Sequence, residues 1–193
     1  MSMTINSNSI AKVLIVIGVA FLVNYFSNHI LRYGWKMWIG KEICWRNIKL
    51  FVDDDYFVFP NTDSSLFSIS NDQPILIGKF DTSKTTFPNE SYIMIGDAKF
   101  DIDRLSEALS KLCARINCEN YKKYSYIENG VPVTCIQFEG TSETLDNRQF
   151  HVFCKVQASK ILVEYHGSQD NFDEFKTQQQ QTIKAIATSV INP

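Results

Sequence analysis

KILVEYHGSQDNFDEFKTQQQQTIKAIATSV, residues 160–190, reads as one strand running into one helix. Ile161, Val163 and Tyr165 alternate with Leu162, Glu164 and His166, the period of two of a strand with one apolar face. Gly167 ends it. Asp170 or Asn171 is expected to cap the helix that follows, and Asp173 and Glu174 sit near its positive dipole end. Phe172, Phe175, Ile183, Ile186 and Val190, with Gln179 and Thr182 in the gaps, recur at spacings of three and four. They form one stripe on a helix of about five turns. Lys176, Gln178, Gln180, Gln181 and Lys184 make the opposite face, expected in water. Such a helix gains most of its stability by laying its stripe on another layer, and a sheet is the natural platform.

The strands of that sheet are expected upstream. Ile48–Val52, Tyr56–Phe59, Leu66–Ile69, Ile75–Phe80 and Tyr92–Ile95 are short β-rich runs separated by polar turns. Asp101–Asn117 is a second helix, capped by Asp101, with Ile102, Leu105, Leu109 and Cys113 on its stripe. Lys123–Ile127, Val131–Phe138 and Gln149–Val156 follow as strands, the first two joined by Asn129-Gly130, a two-residue hairpin signal. Strands, a helix, more strands and a helix, without crossover periodicity, predict an α+β fold. Its core would be an antiparallel sheet of about six or seven strands flanked by helices.

The first residues read differently. Residues 1–9 are polar and expected to be a disordered tail. Ile10–Phe26 is almost wholly apolar with Lys12 its one charge, and residues 10–31 together reach a spanning length. No small-residue cleavage pattern follows, and Cys44 stands too far on for a lipoprotein. These features predict one N-terminal transmembrane helix acting as an uncleaved anchor, the alternative being a buried helix of a soluble domain. The stretch from Ile30 to Trp45 holds all three Trp, and Tyr33, Trp35 and Trp38 among Arg32, Lys36 and Lys41 predict a membrane-interface segment. The expected organisation is tail 1–9, anchor 10–31, interfacial linker or helix 32–47 and α+β domain 48–193. The basic residues around the anchor are almost balanced. An anchor with a short polar lead favours a single-pass membrane protein with an extracytoplasmic domain.

With 193 residues and a formal net charge of −2, the chain lacks the basic stripe of a nucleic-acid binder, so no nucleic-acid partner is expected. Five Cys show no CxxC and no zinc spacing. Cys135 and Cys154 fall in neighbouring predicted strands and would bridge in an oxidising compartment. Otherwise the cysteines are small buried hydrophobes. His151 and His166 also fall in adjacent strands, and with Glu139, Glu164 or Asp170 would be the one conceivable metal cluster. No nucleophile elbow, Walker loop or dinucleotide fingerprint is present. The sequence therefore points to no catalytic residue, metal ligand or cofactor.

The layout of the C-terminal ninety or so residues resembles the PsbP-like superfamily, which includes the Mog and DcrB-type proteins. A helix, Ile102–Ile116, precedes a hairpin turning at Glu128-Asn129-Gly130 into Val131-Pro132-Val133. A strand pair follows, and Val163-Glu164-Tyr165-His166-Gly167-Ser168 enters a helix with Phe172 and Phe175 that ends near Ala187-Thr188-Ser189. Phe57-Val58-Phe59-Pro60 takes the place of the early strand. The resemblance implies an antiparallel sheet with flanking helices and non-enzymatic work. The expected function is a membrane-anchored protein-binding domain, an accessory or assembly factor of an envelope complex. Its partners would be another protein and, through residues 10–31, the lipid bilayer. Alternatives are an immunity protein or secretion chaperone that occludes a toxin or effector, and a small hydrolase or metal-dependent enzyme.

Overall fold

The structure, a computed structural model, describes residues 15–20, 22, 33–34, 36–37, 41–60, 73–79, 91–98, 101–115, 118–141 and 148–191. The chain divides into two compact units, Met1–Gly40 and Lys41–Pro193. In the first, residues 15–20 and 22 are helical, with Ile15, Val16 and Ile17 exposed. Among the described residues no helix is long and apolar enough to cross a membrane. The remainder of the expected anchor lies outside the described residues.

The second unit contains a two-stranded ribbon, β1 (Glu42–Trp45) with β2 (Ile48–Phe51), and a seven-stranded sheet. The sheet comprises β3 (Tyr56–Pro60), β4 (Ile75–Lys79), β5 (Tyr92–Asp97), β6 (Glu119–Glu128), β7 (Val131–Thr141), β8 (Arg148–Val156) and β9 (Ile161–Gly167). Their order is β3-β4-β5-β9-β8-β7-β6, and every neighbouring pair is antiparallel. Two helices complete the unit, α1 (Ile102–Arg115) and α2 (Gln169–Ile191). The α+β sheet is thus the one the alternation predicts. The expected strand at Leu66–Ile69 lies outside the described residues.

The pleat divides the sheet's side chains between two cores. On one face Ile93, Ile95, Val163, Tyr165, Val152 and Cys154 are buried. Here α2 lies, burying Phe175, Gln178, Gln179, Thr182, Ile183, Ile186 and Ala187. That spacing is the stripe of a helix on a sheet. On the other face Ile136, Phe138, Phe153 and Leu162 pack with Ile102 and Leu109 of α1. Cys135 and Cys154 are direct cross-strand partners and are bridged, and Cys113 is bridged to Cys118. Cys44 is free and exposed.

Three sequence expectations are corrected. The domain begins at Lys41, because Glu42–Trp45, placed by sequence in the interfacial linker, forms a strand. Its turn, Arg46-Asn47, holds two positive φ angles (51° and 64°) without glycine, so the ordinary hairpin signal is missing. Trp45 is fully buried, with its indole N–H donating to the Gln73 carbonyl at 3.0 Å. It is a core residue, unlike the membrane-facing role its neighbours suggested. The cap of α2 is Ser168, whose Oγ accepts the Asn171 N–H at 3.2 Å. Asn171 instead donates its side-chain amide to Ser91 Oγ at 3.0 Å. Finally, Gln178 is fully buried and not in water. Its Nε2 donates to the Phe51 carbonyl at 2.8 Å and its Oε1 accepts the Asp53 N–H at 2.9 Å.

Removing that amide takes the partner from the Phe51 carbonyl and the Asp53 N–H, two part-buried hydrogen bonds that together contribute about 1–3 kcal/mol. Gln178→Ala should therefore lower unfolding free energy by about 2 kcal/mol in urea titration. Gln180→Ala, on the exposed side, should change it by less than about 0.5 kcal/mol.

Candidate functional site

Two places in the second unit gather unusual side chains. The first is a cleft of about 620 Å³ between β2 and the last turns of α2. The β1–β2 ribbon alternates strictly. Ile43, Trp45, Ile48 and Leu50 are buried, so Lys49 and Phe51 face outward. Phe51 is 59% exposed, although its own carbonyl is fixed by Gln178. Opposite it, α2 offers the small residues Ala185, Thr188 and Ser189, with Gln181 and Lys184 alongside. The Gln181 Oε1 is buried and has no hydrogen-bond partner. Asn129, from the β6–β7 turn, donates to Thr188 Oγ1 at 3.0 Å and steadies this end of the helix. The cleft therefore joins an aromatic ring and a floor of small side chains with Lys184, Lys49, which pairs with Glu42 at 3.0 Å, and the carboxylate of Asp53. An exposed aromatic ring beside small residues is the kind of feature found at interface cores.

The second place is a row of rings on the sheet face that carries α1. His151 and His166 are register partners on β8 and β9, and Tyr92 and Phe138 continue the row on β5 and β7. Tyr92 stacks on His166 at 5.1 Å and Phe138 on His151 at 5.0 Å. The two histidine Nδ1 atoms stand 2.9 Å apart, so one donates to the other. His166 Nε2 faces the Glu164 carboxylate at 3.1 Å. Burial, and secondarily the His166 charge, push His151 down to about 4. His151 is therefore neutral at neutral pH, and the pair forms a short hydrogen-bonded chain ending on Glu164.

Of the acidic residues that sequence placed near this pair, only Glu164 is there. Glu139 is buried and accepts from the Asn120 side chain at 2.7 Å, and Asp170 lies in the first turn of α2. No group of three His, Cys, Asp or Glu among the described residues is placed to hold a metal ion. Of the expected membrane-interface residues, Tyr33 is helical and 68% exposed, while Trp35 and Trp38 lie outside the described residues. Sequence reading passed over Phe51 and Gln181. Outward placement of Phe51 follows from the alternation of β2, but its nearness to α2 depends on tertiary packing.

No family model matches the chain, and no curated protein matches it significantly. Solved structures do. The solution structure of cyanobacterial PsbP (CyanoP) from Synechocystis sp. PCC 6803 matches 72% of this chain and 85% of that one, at 6% identity and TM-score 0.41. LpqN, involved in cell envelope biogenesis of Mycobacterium tuberculosis, matches 71% of this chain and 80% of its own, at 8% identity and TM-score 0.39. A protein of unknown function from Pseudomonas aeruginosa, PA94, matches 75% and 95%, at 11% identity and TM-score 0.37. PsbP, whose superfamily the sequence layout resembles, is thus among the similar folds.

The histidine chain sets an acid response. The unfolded chain protonates His151 near its ordinary value of 6.5, whereas the folded chain resists until about 4. The unfolded state binds more protons between those values, so stability is full above about 6.5 and falls as pH drops toward 4. Thermal melts from pH 7 to pH 4 should show this decline. His151→Phe, which fits the ring row without titrating, should flatten it.

Proposed function

We propose that this chain is a membrane-tethered, non-enzymatic protein-binding domain, serving as an accessory or assembly factor of an envelope complex. The cleft beside Phe51 carries this reading. An aromatic ring left exposed beside small residues and cations is the kind of anchor in which interface energy concentrates. The partner would present an apolar segment to Phe51 and the small residues of α2. The tether is read from the apolar run at residues 10–31, supported by the exposed apolar side chains of its described helical part, Ile15, Val16, Ile17, Val19 and Leu22. A row of such side chains calls for lipid or protein around it. The two cystine bridges favour placing the domain in an oxidising compartment, outside the cytoplasm.

The decisive experiment is recovery of the full-length, detergent-solubilised protein from its native membranes with quantitative mass spectrometry of what accompanies it. One stoichiometric partner is expected. Phe51→Ala should reduce its recovery at least about tenfold, the loss typical of an interface anchor. Unchanged recovery with Phe51→Ala would remove the cleft from consideration, and recovery of the protein alone would overturn the binding reading. Maleimide labelling of the unreduced, denatured protein should find a single thiol, Cys44, if the domain is exported. Five reactive thiols per chain would place it in a reducing compartment.

A further inference from the structure

Strand β6 ends the sheet, and among the described residues no strand lies along its outer side. Its exposure is continuous from Glu119 to Lys123, and Ile127 is 73% exposed. A sheet edge of this length, without proline, is a template for another strand.

The direction of its backbone groups can be fixed. Ile127 is opposite Pro132 in the β6–β7 register, and the Pro132 carbonyl accepts the Gln157 N–H at 2.9 Å, on the far side of β7. Ile127 and Pro132 are therefore a non-hydrogen-bonded pair, and the N–H and C=O of Ile127 point away from β7. By the period of two, those of Ser125 and Lys123 do the same. A strand joining this edge must pair with these three residues.

One arrangement of a second copy satisfies them. In an antiparallel pairing centred on Ser125, Ser125 pairs with its own counterpart and Lys123 with Ile127, each with outward-pointing backbone groups on both sides. The intervening residues then pair too. Lys122 falls opposite Glu128, and Tyr124 opposite Tyr126, each twice by symmetry. Backbone parity, opposite charge and aromatic pairing thus agree in one register, and all three are favourable cross-strand terms. We infer that β6 is a homodimerisation edge, on which two copies of this chain join their sheets about a two-fold axis through Ser125. The surface is separate from the cleft at β2, and the proposal stands whether or not that cleft binds a partner.

The test uses the full chain in detergent micelles in a Cys44→Ser background. Hydrogen-bonded antiparallel partners have Cα atoms about 5.5 Å apart, within disulfide reach. Mild oxidation should convert Ser125→Cys into a covalent dimer. Ile127→Cys should remain monomeric, since its counterpart lies about 14 Å away along the strand. Lys122→Glu should weaken the non-covalent dimer about tenfold in sedimentation, Glu128→Lys similarly, and the double exchange should restore it. A single-chain mass at every concentration would overturn the proposal. So would equal cross-linking at Ser125→Cys and Ile127→Cys, or a double exchange no tighter than the single ones.

Discussion

The side-chain amide of Gln178 donates to the carbonyl of Phe51 and accepts from the N–H of Asp53, as a strand's own peptide group would. Those two backbone groups lie where β2 ends, and the helix meets them with one fully buried residue. Without that amide two part-buried backbone groups at the end of the ribbon would lose their partner. With it, ribbon and helix are held in fixed register, Phe51 is turned outward and Ala185 faces it across the cleft. The neighbouring links strengthen the same junction. Tyr56 donates to the Glu174 carbonyl at 2.9 Å, and Lys79 pairs with the Glu174 carboxylate.

The two faces of the sheet are used differently. One is filled along much of its length by a single helix of 23 residues, which buries Gln178, Gln179 and Thr182 together with its apolar stripe. The other is covered at one end by α1 and keeps a polar row, His166 and His151 between Tyr92 and Phe138. A half-buried histidine pair is tolerated because each ring has a partner on its edge and a ring on its face. The arrangement holds both rings in place. It also places the histidine pair on the sheet face opposite the one that carries α2.

Much of the fold is legible in the sequence, for local reasons. Asn129-Gly130 announces its hairpin because the turn needs two positive φ angles, and these residues adopt 48° and 80° at little cost. The stripe of α2 can be read from Phe175, Ile183 and Ile186. Other parts are hidden because long-range packing decides them. Arg46-Asn47 makes the same kind of turn with residues that do not advertise it, so β1 and the burial of Trp45 are lost in a run that looks membranous. Gln178 looks like its exposed neighbour Gln180, and only its place three residues after Phe175 hints otherwise. The cleft joins residues 47–53 to residues 181–189, a proximity no local pattern encodes.

The seven-stranded sheet is two meanders, β3-β4-β5 and β6-β7-β8-β9, sewn together along a single pair, β5 with β9. Within each meander neighbouring strands are also neighbours in sequence, so those contacts close over short or moderate loops. The seam joins Tyr92–Asp97 to Ile161–Gly167 and must enclose α1 and three strands before it forms. Closing so long a loop costs entropy before any contact rewards it. The seam at Ile93, Ile95, Val163 and Tyr165 is thus a non-local contact that joins the two meanders, and the Gln178 junction with Phe51 and Asp53 closes a longer loop still. The domain is complete only when both of these non-local closures have been made.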